Sequence, residues 1–185
     1  MKTILQVEDD LNDVFLLKHA WKKMGVLNPI QTVGDGQEAL DYLQGAGRFA
    51  DREKFPFPCL VLLDLKLPYV MGLDVLKWIR QQPGPALVVI MLTASGENAD
   101  IAAAYRLGAN AFLTKPSEAI KLQDMVKTIK DFWLTHNMLP DETYREQIMA
   151  PAHWCRIDPD ADRLPFPNGN GKPREEWLNK QLENK

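Results

Sequence analysis

The sequence predicts an α/β fold, a doubly wound five-stranded parallel sheet with a C-terminal extension. Two observations point to the sheet. Short apolar runs alternate five times with stretches of helical periodicity, and two of the runs, CLVLL at 59–63 and LVVIML at 87–92, are apolar without alternation. Strands covered on both faces have that pattern, and parallel sheets are built from them. A third observation sets the extent of the domain: residues 138–185 hold six of the 13 prolines (140, 151, 159, 165, 167 and 173). Helices and strands cannot run far through that spacing. The expected division is a sheet domain over 1–137 and a proline-rich extension of little regular structure over 138–185.

The elements follow in order. TILQV at 3–7 is a strand ending in carboxylates. Between 11 and 24, Leu11, Val14, Phe15, Leu17, Trp21 and Met24 recur at helical spacing, and Gly25 stands where a C-terminal cap belongs. Residues 30–33 form a second strand, Asp35-Gly36 turns the chain, and Ala39, Leu40 and Leu43 share a helical face within 38–43. The stretch 45–58 is polar and punctuated by glycine and proline, which predicts an enlarged surface loop, longer than such connections usually are. A third strand over 59–63 leads to Asp64, a third helix covers 73–80, and a fourth strand over 87–92 leads to Thr93. An alanine-rich helix over 97–107 stops at Gly108, a short fifth strand covers 111–113, and a fifth helix covers 117–134 with Ser117 as its expected N-cap. Pro116 biases Lys115 toward extended backbone and leaves both isomers of the bond between them open.

Composition narrows the function classes. With 45% hydrophobic and 25% charged residues the chain is of ordinary globular type. A net charge of −3 without any basic stripe gives no support to nucleic-acid binding. No apolar run approaches about 18 residues, so no membrane span is expected, and the opening MKTILQVEDD is interrupted too soon for a signal peptide. Only Cys59 and Cys155 carry thiols, which points to a reducing, cytoplasmic setting.

In a parallel sheet of this kind the residues after the strands converge on one edge. Those residues are Glu8, Asp9 and Asp10, then Asp64, Thr93 and Lys115. Clustered carboxylates repel unless they share a cation, and hard oxygen ligands suit Mg²⁺ held partly by water. A hydroxyl and an ammonium opposite the cation supply what the remaining oxygens of a phosphoryl group require. The constellation suggests phosphoryl chemistry.

The same residues carry a family resemblance. Val7-Glu8-Asp9-Asp10, Asp64-Leu65-Lys66-Leu67-Pro68 followed by Gly72, Thr93-Ala94 and Lys115-Pro116 stand in the order and at the spacings of response-regulator receiver domains of two-component signalling. The resemblance covers about residues 1–137. The loop at 45–58 and the phrase Leu63-Asp64-Leu65-Lys66-Leu67-Pro68 further resemble single-domain regulators that serve phytochromes and similar sensor kinases. The resemblance implies a flavodoxin-like sheet of strand order 2-1-3-4-5, with Asp64 as phosphoacceptor. It implies Mg²⁺ held by Asp9 and Asp64, by Glu8 through water and by the carbonyl of Lys66. Thr93 and Lys115 would contact the phosphoryl oxygens, Thr93 and Phe112 would act as the switch pair, and Lys66 and Ser95 would occupy the positions that tune the phosphorylated lifetime. Implied partners are a sensor histidine kinase, the phytochrome type among the kinds it covers, an unknown downstream protein, and a second copy joined through the fourth helix, fifth strand and fifth helix.

Two other classes compete with a phosphorylated regulator. A phosphorylation-independent adaptor has no need of the intact set Glu8, Asp9, Asp64, Thr93 and Lys115. Phosphatases of haloacid-dehalogenase type carry a second aspartate two residues after the nucleophile, where this chain has Lys66. The expectation is therefore a self-phosphorylating acceptor, not a turnover enzyme. In the extension, His153-Trp154-Cys155 lacks a second ligand pair for zinc. Asp158, Asp160 and Asp162 open like a calcium loop, but Arg163 and Gly169 stand where glycine and glutamate are needed. Trp154, Phe166 and Trp177 either pack back on the domain or a second subunit, or bind a partner. The extension is too short, too rich in proline and too neutral for a DNA-binding output domain.

Overall fold

The computed structural model describes residues 2–82, 87–94 and 96–138. Its elements are β1 (Thr3–Val7), α1 (Leu11–Lys23), β2 (Ile30–Val33), α2 (Gly36–Gln44), β3 (Pro58–Leu63), α3 (Gly72–Gln81), β4 (Val88–Thr93), α4 (Asn98–Arg106), β5 (Ala111–Thr114) and α5 (Ala119–Ile129). The non-alternating run at 59–63 lies in β3, buried at every position because β1 and β4 flank it and helices cover both faces. All strands are parallel, in the order β2-β1-β3-β4-β5. The predicted five-stranded parallel sheet and its strand order are those observed, while the extension over 139–185 lies outside the described residues.

Strand parity divides the core into two layers. Leu5, Val7, Val61, Leu63, Val89 and Met91 face α2, α3 and α4, while Ile4, Leu60, Leu62, Ile90 and Leu92 face α1 and α5. Each such side chain contributes about 1.5–3 kcal/mol by leaving water. The side-chain Oδ1 of Asp10 accepts from the amides of Asn12 and Asp13 and starts α1; that of Asp35 accepts from the amide of Glu38 and starts α2. No helix among the described residues is long and apolar enough to cross a membrane.

Three local expectations need correction. In α1 the buried stripe is Val14, Leu17, Ala20 and Trp21, whereas Leu11 is 81% and Phe15 68% exposed. Helical spacing shows which residues share a face; it does not show how far round that face the neighbouring helix reaches. The segment 45–58 is only partly a surface loop. A 3-10 helix over Gly47–Phe49 buries Phe49, and the rings of Tyr42, Phe49 and Phe55 meet at centroid separations of 5.2–6.1 Å. The Arg52 guanidinium locks this fold-back by donating to the carbonyls of Tyr42, Leu43 and Phe55 at the end of α2 and in the loop.

The last helix starts later than expected and changes form. Glu118, not Ser117, precedes it, and no side chain caps it. After Ile129 it widens into a π-helix over Lys130–His136, in which the Thr135 hydroxyl donates to the carbonyl of Lys130 and the Asn137 amide to that of Phe132. The wider turn keeps Trp133 and Leu134 partly buried against the α1–α5 layer. No cis peptide bond occurs among the described residues, so Lys115–Pro116 is trans. The readings of Ser95, of His153-Trp154-Cys155, of Asp158, Asp160 and Asp162, and of Trp154, Phe166 and Trp177 lie outside the described residues.

Candidate functional site

The sheet ladder places the site by continuing one residue past several strands. The amide of Glu8 donates to Val33 (3.0 Å), that of Asp64 to Val7 (3.1 Å) and that of Lys115 to Thr93 (2.7 Å). These backbone bonds fix the roots of three charged side chains on the same edge. The β3–α3 connection is held just as tightly. Gly72 donates to the carbonyl of Leu65 (3.0 Å), and a Cβ at Gly72 would lie 2.0 Å from the carbonyl oxygen of Asp64. Glycine there is what lets the start of α3 press against the Asp64 backbone. Tyr69, in the same connection, takes left-handed backbone at φ 63.

Lys115 is the centre of the cluster. Its ammonium donates to Glu8 Oε2 at 2.5 Å, Asp64 Oδ2 at 2.7 Å and Asp13 Oδ2 at 2.9 Å, using all three of its protons. The other oxygen of Asp64, Oδ1, accepts from the amides of Leu65 and Lys66. Asp64 and Glu8 are buried. Desolvation pushes the Glu8 carboxyl up to about 7 despite the bond from Lys115, and burial followed by the Asp64 charge raises Asp9. For Lys115, burial acts downward, but the hydrogen bonds to Asp64, Glu8 and Asp13 outweigh it and hold the ammonium above its ordinary range.

Four carboxylates, Glu8, Asp9, Asp13 and Asp64, thus gather around one ammonium. A divalent cation is the natural complement. One oxygen each from Glu8, Asp9 and Asp64 lie within 4.8 Å of one another, and an all-oxygen set of this kind fits Mg²⁺. Asp10 is not part of that set, being engaged as the cap of α1. Thr93 ends β4 and is buried; because Leu63 pairs with Met91, Thr93 stands one residue further along the edge than Asp64. Phe112, on β5, pairs with Met91 of β4 and is partly buried against the layer that α3 and α4 cover. Lys66 is exposed and its amide faces Asp64 Oδ1.

The structure therefore brings Glu8, Asp9, Asp64 and Lys115 into one cluster, with Thr93 on the same edge and Phe112 one strand away. Asp13 was not singled out by sequence. Its signal was there: it lies one helical turn after Asp9, on the first turn of a helix that begins at the same edge.

Beside the cluster lies a small pocket formed by Glu8, Asp13, Leu16, Leu17, Lys115 and Leu122 among its walls. Leu11, Phe15 and Leu16 of α1 and Ile120 of α5 leave apolar surface exposed on these two elements.

Residues 4–127 match the family model described as the response regulator receiver domain, and the chain belongs to that family. Among curated proteins it is 37% identical over 140 residues to response regulator Rcp1 of Synechocystis sp., covering 75% of this chain and 93% of that one. It is 38% identical over 141 residues to a probable methanogenesis regulatory protein, FilR2, of Methanothrix harundinacea, covering 74% of this chain and 86% of that one. Among solved structures it resembles the Mn²⁺-bound form of Rcp1 (37% identity, TM-score 0.67, 76% of this chain and 100% of that one). It also resembles the phosphorylated cyanobacterial phytochrome response regulator RcpA (36% identity, TM-score 0.68, 76% and 99%). The chain is a receiver-domain response regulator of the Rcp1 type.

Proposed function

We propose that the chain takes a phosphoryl group from a sensor histidine kinase onto Asp64 and signals through the resulting change in shape. The observation that carries this reading is the Lys115 ammonium bridging Asp64 and Glu8 beside a Glu8–Asp9–Asp64 oxygen cluster. A carboxylate oxygen of Asp64 attacks phosphorus, the bond from phosphorus to the donor histidine nitrogen breaks, and its electron pair stays on that nitrogen. The product is an acyl phosphate. Asp9 and Asp64, with Glu8 through water and the Lys66 carbonyl, would hold Mg²⁺. When bound, the cation neutralises charge on the transferring group. Lys115 and Thr93 bind the other phosphoryl oxygens, and the chain needs no strong base because the carboxylate is already the nucleophile.

Thr93 and Phe112 form the switch: Thr93 moves toward the phosphoryl group, Phe112 turns inward, and the face of α4, β5 and α5 changes for a downstream protein or a second copy. A homodimer through that face is part of the proposal. The exposed Leu11, Phe15, Leu16 and Ile120 suit docking of the kinase beside the site. The phytochrome named for RcpA and the red-light signalling named for a similar response regulator, RPA3017 of R. palustris (33% identity, TM-score 0.71, 76% of this chain and 99% of that one), favour a phytochrome-type kinase. The chain acts as a cytoplasmic acceptor, not a turnover enzyme, with residues 1–137 as the receiver and 138–185 as its extension.

Incubation with Mg²⁺ and acetyl phosphate is expected to add one phosphoryl group to the wild-type chain and none to Asp64→Asn. Uptake by Asp64→Asn, or none by the wild type, contradicts the proposal.

A further inference from the structure

We propose that Asp13 is a positioning residue for phosphoryl transfer: it anchors Lys115 while the lysine's other two carboxylate partners are committed elsewhere. The inference rests on the phosphoryl-transfer reading above. Lys115 touches three carboxylates, of Glu8, Asp64 and Asp13. Two of these, Glu8 and Asp64, also belong to the oxygen cluster that fits a cation, and Asp13 does not. A cation among Glu8, Asp9 and Asp64 competes with the ammonium for two of its three partners. Phosphorylation then makes one Asp64 oxygen the bridging oxygen of an acyl phosphate and removes that carboxylate as a partner of full charge. Among the described residues, Asp13 is the carboxylate partner of Lys115 that neither event claims.

Its placement suits an anchor. Asp13 sits in the first turn of α1, whose start is pinned by the Asp10 cap, and that turn also supplies the amide of Asp13 to Asp10 Oδ1. The backbone of Asp13 is thus tied into the capped first turn of α1 and its side chain is short, whereas Lys115 reaches the site on a long, flexible side chain. The Asp13 side chain is 38% exposed and that of Lys115 12% exposed, so Asp13 is the more solvent-accessible member of the pair, while the same ammonium also contacts Asp64. Without it, a lysine released by Glu8 and Asp64 gains rotamer freedom at the moment its position matters most, and small losses of placement carry large losses of rate.

Two variants of the full chain separate anchoring from charge. Asp13→Ala removes the acceptor and the charge; Asp13→Asn removes the charge and keeps an oxygen that Lys115 can bond. The maximal rate of phosphoryl uptake from acetyl phosphate is expected to fall about tenfold in Asp13→Ala and to recover most of the way in Asp13→Asn. The Mg²⁺ concentration for half-maximal uptake is expected to move by less than about threefold, because Asp13 is outside the cation cluster. A merely structural role in α1 would lower melting temperature and leave this rate unchanged at saturating Mg²⁺. A wild-type maximal rate in Asp13→Ala overturns the proposal. So does a rate in Asp13→Asn as low as in Asp13→Ala, or a loss that vanishes once Mg²⁺ saturates. Failure of the phosphoacceptor reading is distinct: it shows as wild type without uptake, or as uptake by Asp64→Asn, whatever Asp13 does.

Discussion

Replacing Gly72 by alanine tests how the fold holds Asp64 in place. The added Cβ would lie 2.0 Å from the Asp64 carbonyl oxygen and 3.0 Å from both the Asp64 carbonyl carbon and the Leu65 Cα. All three are backbone atoms, so no rotamer change relieves the contact. An ordinary carbon–oxygen approach needs well over 3 Å, so the β3–α3 connection must shift by about 1 Å or more. Overpacking that forces backbone movement costs about 1–3 kcal/mol, and this contact belongs at the upper end. For a domain of this size 3 kcal/mol corresponds to a fall in Tm of roughly 10 °C. Gly34→Ala is the control, because a Cβ there meets nothing within 4 Å. Urea and thermal unfolding of both variants give the energies, and Mg²⁺-dependent phosphoryl uptake by the folded fraction of Gly72→Ala reports the displaced carboxylate. The reasoning expects Gly72→Ala to lose both stability and uptake while Gly34→Ala loses little of either. Equal stability and equal uptake in the two variants would refute it.

Other perturbations address the charges and the surface. Lys115→Met leaves the buried Glu8 and Asp64 carboxylates without their ammonium. It should cost on the order of 2–3 kcal/mol in urea unfolding without divalent ions and much less with saturating Mg²⁺, and equal losses in both conditions would count against a shared cation site. Glu8 titrates near 7 instead of 4.5, chiefly through burial. A folded pKa above the unfolded one gives stability that is full below about 4.5 and is lost as pH rises through about 7. Metal-free protein should therefore be less stable at pH 8 than at pH 6 by on the order of 1 kcal/mol from this group. Saturating Mg²⁺ should remove that slope, which unfolding at the two pH values checks. Phe15 is 68% exposed, so Phe15→Ala should shift stability by under about 0.5 kcal/mol and leave acetyl phosphate uptake intact. Transfer from a phosphorylated phytochrome-type histidine kinase should slow, and an unchanged rate would remove α1 from the docking surface.

The parts legible in the sequence were those that depend on one strong local signal. The unbroken apolar runs at 59–63 and 87–92 located the two central strands, and parallel topology then placed Glu8, Asp64, Thr93 and Lys115 on one edge. The parts that were not legible depend on contacts between distant segments. Leu11 and Phe15 have the spacing of core residues, yet α5 covers only the other side of α1. The composition of 45–58 reads as surface loop, but Phe49 and Phe55 find Tyr42, and Arg52 finds the carbonyls of Tyr42 and Leu43 at the end of α2. Ser117 is a good cap by type, but the helix begins two residues later. Asp13 reads as an ordinary acidic first-turn residue, favourable to the helix dipole, until Lys115 arrives from the far end of the domain.

The central claim is that Asp64 is the residue that takes the phosphoryl group. After incubation with Mg²⁺ and acetyl phosphate, borohydride reduces an aspartyl phosphate to homoserine, and peptide mass spectrometry locates the product. Homoserine at position 64, absent without phosphodonor and strongly reduced in Lys115→Met, is the predicted result. Homoserine at another aspartate, or none at all in a chain that has gained a phosphoryl group, would contradict it.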